Sequence, residues 1–345
     1  MDVSGSCFHP GNRRILAALA VSVFTACSAP TAGNAPPPIS NATVDAHIRY
    51  LSSDELKGRD PFSADIALTE DYIAEQFRAA GLLEFEEFPG YKNGFSFEYR
   101  PRREPDAVPT TYQLQNIVGY LEGTDPVLKN EFVLFGAHHD HVGVRGEEED
   151  NIYNGAEDNA TGTAAVISLA QYFAQARNNK RSLIFATFTA EERGLVGSRH
   201  LAANLPIEAD QLVSMVNFEM IGKPAPDGSW TLTVLGPEKS TLDEIFMEAL
   251  DEDSPISLVR PLESQARYFN GSDNVAFHAQ GFITTTLASP NSFDDPYYHS
   301  PNDHYEYLNI DYMSSVIRAV VDFTEPLISG EATPVKTEGG TPGAG

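Results

Sequence analysis

Four apolar runs in this chain end on imidazole or carboxylate groups. Phe132-Val133-Leu134-Phe135-Gly136-Ala137 leads straight into His138-His139-Asp140-His141. Leu183 to Thr189 leads into Ala190-Glu191-Glu192, and Val213 to Phe218 leads into Glu219. The run from Phe282 is followed by Tyr297-Tyr298-His299-Ser300-Pro301. A fifth cluster, Gly155 to Gly162, carries Glu157-Asp158-Asn159 just ahead of a helical pattern. Imidazole and carboxylate donors without thiolate suit zinc in a catalytic rather than a Cys-rich structural site. The adjacent Glu191 and Glu192 can divide labour: one binds metal, and the other takes a proton from metal-activated water. Each signal is weak alone. A Glu-Glu pair is usually a solvated surface, His138 near Asp140 can be a surface pair, Asp158 can be a helix cap, and His299 can be a turn residue. Their strength lies in all five falling at predicted element ends.

The elements that would carry these groups alternate in type. Asp65 to Ala80 has Ile66, Ile73 and Phe77 at helical spacing, with Gly81 as its stop. Thr161 to Ala176 places Val166, Leu169, Ala170 and Phe173 on one helical face. Strands are predicted at Asn116–Leu121, Phe132–Ala137, Leu183–Thr189, Leu212–Phe218, Thr231–Leu235 and Phe282–Leu287. Ser272–Ala279 reads as a short helix and Ile310–Ile328 as a closing one. Buried strands alternating with helices predict an α/β protein: a three-layer α/β/α sandwich around a mixed, mostly parallel central sheet. Such sheets place their sites beyond the carboxyl ends of the strands.

Asp and Glu number 49 against 23 Lys and Arg, a net charge of −26. That balance argues against nucleic acid as a partner, because phosphate binding needs clustered cations. The only cysteines, Cys7 and Cys27, lie near the N-terminus. Arg13 and Arg14 precede Ile15 to Phe24, an apolar run of about ten residues, too short to span a bilayer as a helix. Phe24-Thr25-Ala26-Cys27 resembles a bacterial lipobox with Phe24 in place of the usual Leu. Residues 1–26 are therefore expected to be a signal peptide and 27–39 a flexible tether. Residues 40–329 form the folded domain, and 330–345 a disordered tail. The expected location is the periplasm or cell envelope of a bacterium, with secretion as the alternative. Any membrane contact would run through a lipid on Cys27.

The motifs resemble those of the di-zinc aminopeptidases related to bacterial leucyl aminopeptidase, a group that includes glutamate carboxypeptidase and is related to glutaminyl cyclases. The resemblance covers roughly residues 45–325. It rests on Gly136 to Gly143, on Gly155 to Gly162, on Thr189 to Ser198, on Asn217 to Gly222 and on Tyr298 to Asp303. The early Leu51 to Arg59 also matches. The resemblance implies two Zn2+ per chain. His138 would bind one zinc, with Asp140 orienting it from behind. Asp158 would bridge both zincs, and Glu192 and His299 would complete the other. Glu191 would be the general base. Glu219 stands where the family has Asp, and its extra methylene changes the ligand's reach. A cis peptide between Asp158 and Asn159 is often found in the family.

His139, His141 and Glu157 receive no role and read as structural or rim residues; His139 should point away from His138 if the strand continues. The acidic run Glu147 to Asp150 reads as a mobile loop. Pro89 to Asn130 is too short for the lid domain that many relatives insert there. The implied activity is removal of N-terminal residues from peptides with a free amino terminus. Glutaminyl cyclase, with the same fold and one zinc, is the alternative enzyme. A receptor-like binding protein without catalysis is the other alternative.

Overall fold

Continuous apolar strands buried on both faces need helices above and below them. The computed structural model describes residues 39–101 and 106–337 and builds that arrangement. The expected signal peptide, Cys27 and nearly all of the tether lie outside the described residues, as do 338–345. In chain order the elements are α1 (Asn41–Leu51), α2 (Ile66–Ala80), β1 (Lys92–Tyr99), β2 (Thr110–Leu121), β3 (Phe132–His138), β4 (Gly143–Val144), β5 (Ile152–Tyr153), α3 (Thr161–Ala176), β6 (Ser182–Phe188), α4 (Val196–Ala203), β7 (Leu212–Glu219), β8 (Thr231–Leu235), α5 (Leu242–Ala249), β9 (Ser257–Val259), α6 (Asn274–Ala279), β10 (Thr284–Ala288), α7 (Ile310–Phe323) and α8 (Glu325–Ser329). The eight-stranded sheet runs β1-β2-β6-β3-β7-β10-β8-β9, and β4 pairs only with β5.

Four strands at the centre, β6, β3, β7 and β10, are mutually parallel. Their register sets the site. His138 at the end of β3 lies beside Phe188 at the end of β6. Gly136 pairs with Asn217, and Glu219 pairs with Ala288. All four carboxyl ends therefore meet along one rim. The outer pairings β1–β2, β2–β6 and β10–β8 are antiparallel, so the sheet is mixed around a parallel centre, as the alternation predicted.

Side chains alternate across the sheet and build two cores. Val133, Phe135, Phe185, Val216 and Phe218 face one layer, where they pack with Ile48, Phe77, Phe173, Phe246 and Val320 from the helices. Phe132, Leu134, Ile184, Phe188 and Met215 face the other, under Leu201 of α4 and Phe277 of α6. Phe135 sits at the centre of the first core, stacked with Phe173, Phe185 and Phe218 at ring centroid distances of 6.1, 5.9 and 6.2 Å.

Two expectations change, and one segment gains a strand that the sequence reading left out. The closing helix breaks at Thr324, whose hydroxyl bonds back to the Val320 carbonyl, and Pro326 stands in the first turn of α8. Pro89 to Asn130 adds the β1–β2 hairpin to the sheet edge. The tail expected from Gly330 onward packs as far as Thr337: Arg181 donates to the Ala332 carbonyl at 2.8 Å, and Val335 N–H donates to Thr241 Oγ1 at 3.1 Å.

The N-terminal segment Leu51 to Arg59 is tied to the site by one side chain. Arg59 is buried, and its guanidinium donates to the carbonyls of Leu51, His139, Asn154 and Gly155. Gly58 precedes it with φ +66°, and a Cβ there would sit 2.5 Å from the Tyr153 carbonyl oxygen and 2.7 Å from that of Gly143. Only glycine fits this crossing. Burial lowers the Arg59 pKa to about 10 while Asp158, Asp303, Asp140 and Glu192 oppose the shift, so it is cationic at neutral pH. Replacing it with an apolar chain strands those buried carbonyls. Arg59→Met should lower the unfolding free energy by about 3 kcal/mol or more, read from urea unfolding. Arg59→Lys should recover little, because one ammonium cannot span the same fork of acceptors.

Candidate active site

Each functional side chain is placed by a strand end and by the turn that follows it. After β6 the chain turns sharply through Ala190 (φ +54°), Gly194 (φ +106°) and Leu195 (φ +60°). The Asp140 carboxylate accepts the amide of Glu191 at 3.0 Å and that of Glu192 at 3.4 Å, which anchors the turn. Asn116 closes it from below, accepting from Thr189 N–H and donating to the Gly197 carbonyl. Ahead of α3, Asp303 accepts the amides of Glu157 and Asp158, each at 3.1 Å or less. Asn159 donates to the Phe218 carbonyl and accepts from Met220 N–H, locking this loop to the end of β7. The Asp158–Asn159 peptide is cis.

These supports bring His138, Asp158, Glu192, Glu219 and His299 together. His138 Nε2 lies 3.3 Å from Asp158 Oδ1 and 3.3 Å from Glu219 Oε1. His299 Nε2 lies 3.2 Å from Asp158 Oδ2 and 2.9 Å from Glu192 Oε1. The two oxygens of Asp158 thus serve two separate donor groups. Glu219 reaches His138 with one oxygen, and its other accepts from Ser272 Oγ. The longer side chain at this position is held at both oxygens.

The donors fit zinc on their own chemistry. All are nitrogen or oxygen, and among the described residues Glu192 Oε1 and His299 Nε2 are buried without a hydrogen-bond partner. Buried polar atoms are rarely left so, and a cation is what this donor set can satisfy.

Electrostatics separate the two adjacent glutamates. Burial and Asp158 push Glu192 up, but His141 and His299 prevail and hold its pKa at about 2. Glu191 goes the other way: burial raises its pKa well above the usual carboxylate range, Asp273, Glu219 and Glu192 add to the rise, and His138 opposes it. Burial penalises the Asp158 anion, yet His141, His138 and His299 bring its pKa well below the ordinary value. A cavity of about 220 Å³ opens here, walled by His138, Asp158, Glu191, Glu219, Met220 and Tyr298 among others.

Asp140 lies behind His138, as the resemblance implied, but its contact is different. His138 Nδ1 is 3.1 Å from the Asp140 carbonyl and 3.7 Å from its carboxylate, which instead holds the glutamate turn. His139 faces the opposite side, with Nδ1 3.1 Å from Thr187 Oγ1, and burial lowers its pKa to about 3. Glu157 accepts from Gly222 N–H, and burial raises it to about 8. Glu147, Glu148 and Glu149 are exposed, away from the donors. Two residues were missed. His141 lies inside the site, with Nδ1 3.0 Å from Glu192 Oε1; strand alternation gave no signal because β3 has already ended. Asp273 is buried beside the site, and burial raises it to about 7 against the pull of His138.

The profile of peptidase family M28 matches residues 116–324. An aminopeptidase of Pseudomonas aeruginosa is 34% identical over 142 residues, which are 40% of this chain and 24% of that protein. The chain spans about half the length or less of most curated relatives it matches, from 24% to 60%. Among solved structures, the aminopeptidase from Aneurinibacillus sp. strain AM-1 superposes with a TM-score of 0.66 at 17% identity, covering 84% of this chain and 94% of its own. Glutaminyl cyclase of Bacteroides thetaiotaomicron gives 0.62 at 14% identity, covering 84% and 98%. At these identities the structures establish the shared fold.

The glutamate turn carries a direct test of its packing. A Cβ on Gly197 would lie 2.2 Å from Asn116 Oδ1 and 2.4 Å from the Thr189 carbonyl. Gly197→Ala should cost about 1–3 kcal/mol in urea unfolding and weaken zinc retention by shifting Glu192. Gly94→Ala, whose nearest contact would be 4.0 Å away, should leave zinc retention unchanged.

Proposed function

The chain belongs to peptidase family M28, and on that premise we propose that it is a zinc-dependent aminopeptidase holding two metal ions. One observation carries the reading. Asp158 divides its two oxygens between two donor groups, and Glu191 stands beside them in the same cavity without joining either. His138, Asp158 and Glu219 would hold one zinc; Asp158, Glu192 and His299 would hold the other. Bound there, zinc supplies Lewis-acid polarisation of a scissile carbonyl and makes water acidic enough to attack near neutral pH.

The rest falls to this chain's own side chains. Glu191 carboxylate accepts the proton of the attacking water, holds it, and gives it to the departing amine nitrogen. Its raised affinity for a proton suits that return step. Asp140 keeps the Glu191 backbone in place through its amide. Carboxylates of Asp158, Glu191 and Glu219 on one cavity wall favour a substrate α-ammonium. Met220, Tyr268, Phe293 and Tyr298 give the same cavity an apolar side, fit for an uncharged side chain. Export is part of the reading and rests on residues 1–29 of the sequence alone.

Glu191→Gln should retain the wild-type zinc content and fold while kcat on an aminoacyl amide falls about 100-fold or more. Activity within a few-fold of wild type would remove Glu191 from the base role. Acetylating the substrate's amino terminus should abolish most turnover of an otherwise identical peptide. Equal rates on free and blocked peptides would point to another peptide-bond specificity, and ammonia release from a glutaminyl peptide would point to the cyclase.

A further inference from the structure

We propose that His141 is a fourth protein ligand at one of the two metal positions, which makes the pair unequal: a closed position formed by His141, Asp158, Glu192 and His299, and an open one formed by His138, Asp158 and Glu219. The assignment rests on the zinc reading above and extends it to a residue outside the ligand set that the sequence motifs imply.

The His141 ring is fully buried, and among the described residues neither of its nitrogens has a hydrogen-bond partner. Its Nδ1 lies 3.0 Å from Glu192 Oε1 and 3.7 Å from Asp158 Oδ2. His299 Nε2 approaches those same two oxygens at 2.9 and 3.2 Å. Two imidazole nitrogens and two carboxylate oxygens therefore enclose one point, all within 4.8 Å of one another. Zinc bonds of about 2.0–2.2 Å in a tetrahedron give donor–donor edges of about 3.3–3.6 Å. Of the four edges here, 2.9, 3.0 and 3.2 Å are somewhat shorter than that and 3.7 Å slightly longer.

Direction matters as much as distance. His141 Nδ1 and His299 Nε2 each lie within hydrogen-bonding distance of Glu192 Oε1, yet neither pair meets hydrogen-bond geometry. The two rings stand edge to face with centroids 5.5 Å apart. Nitrogens that are near a carboxylate oxygen but not aimed at it are what a shared centre between them requires. The ring's seat is also specific. Gly155, at φ +57°, leaves space for it, and a Cβ there would lie 2.5 Å from His141 Cδ2.

The open cavity supplies the second half of the argument. His138, Asp158 and Glu219 form part of its wall, whereas His141, Glu192 and His299 lie outside that wall. Three of the four donors of the His141 position lie off the cavity and only the shared Asp158 reaches it, which makes a closed site of the structural type; three donors facing the cavity leave a place for water and substrate. The His141 position should therefore hold its metal more tightly, and substrate should meet the His138 position.

Zinc-depleted protein reloaded with one equivalent of zinc should show two imidazoles per metal in X-ray absorption, from His141 and His299. His141→Ala and His141→Gln should each show one. Under graded chelation the wild type should lose its two zincs at chelator concentrations at least ten-fold apart, and both variants should close that gap. Circular dichroism and thermal unfolding check that the variants fold; should both fail, the wild-type imidazole count decides alone. Two bound zincs with one imidazole each, or a tight zinc that survives in both folded variants, would overturn the His141 assignment and leave the di-zinc reading standing. A wild type that binds fewer than two zincs would overturn both.

Discussion

Asp158 must present one oxygen to His138 and the other to His299, and much of the surrounding architecture holds that carboxylate still. A carboxylate that serves two positions has no rotational slack: a twist that favours one neighbour removes it from the other. Its amide and that of Glu157 are pinned by Asp303, and its carbonyl lies 3.5 Å from the Arg59 guanidinium. Asn159 ties the next residue to both sides of Glu219, through the Phe218 carbonyl and the Met220 amide. Three parts of the chain distant in sequence, near residues 59, 158 and 303, are thereby fixed to one carboxylate.

The second demand is charge. Asp140, Asp158, Glu191, Glu192, Glu219 and Asp273 crowd one rim of the sheet, where burial makes unpaired anions costly. Arg59 stands behind them as a buried cation that uses its hydrogen bonds on carbonyls and leaves the carboxylates free to face the cavity side. A salt-bridged arginine in the same place would have taken up donor oxygens. The net charge of −26 is a property of the whole chain and does not by itself mark the site; the discriminating feature is that these six carboxylates, buried or half-buried, gather at one rim of the sheet.

The centre of the fold was legible because β3, β6 and β7 carry apolar residues on both faces, a pattern expected of a strand covered on both sides. Once those strands were placed, His138, Glu191, Glu192 and Glu219 followed as residues at or just beyond their ends. The periphery was less legible. β1 alternates, with Phe95, Phe97 and Tyr99 half-buried between exposed Ser96 and Glu98, but as an edge strand it has no continuous apolar run of the kind that marked the central strands. The helices α1, α4 and α5 are short, and their burial comes from the neighbours they meet rather than from a long periodic stripe. His141 was obscured for a different reason. Alternation assigns faces only while the strand lasts, and beyond His138 the backbone is steered by contacts far away in sequence: the His141 amide bonds to the Arg59 carbonyl at 3.0 Å.

The same long-range control explains how adjacent glutamates in one turn take opposite characters. Both amides go to the Asp140 carboxylate, so the backbone of the pair is held as one unit. What differs is the direction in which each side chain leaves it. Glu192 points into a cage of imidazoles that favours its anion, while Glu191 points to a wall shared with Asp273 and Glu219, where a proton is favoured. Neither character follows from the residue type, and neither could arise if the turn were loose enough for the two side chains to exchange places. The positive φ angles at Ala190, Gly194 and Leu195, and the close seat of Gly197 against Thr189 and Asn116, are the local means by which that exchange is prevented. In this protein the division between metal ligand and proton carrier is thus set by backbone conformation, with the electrostatic difference as its consequence.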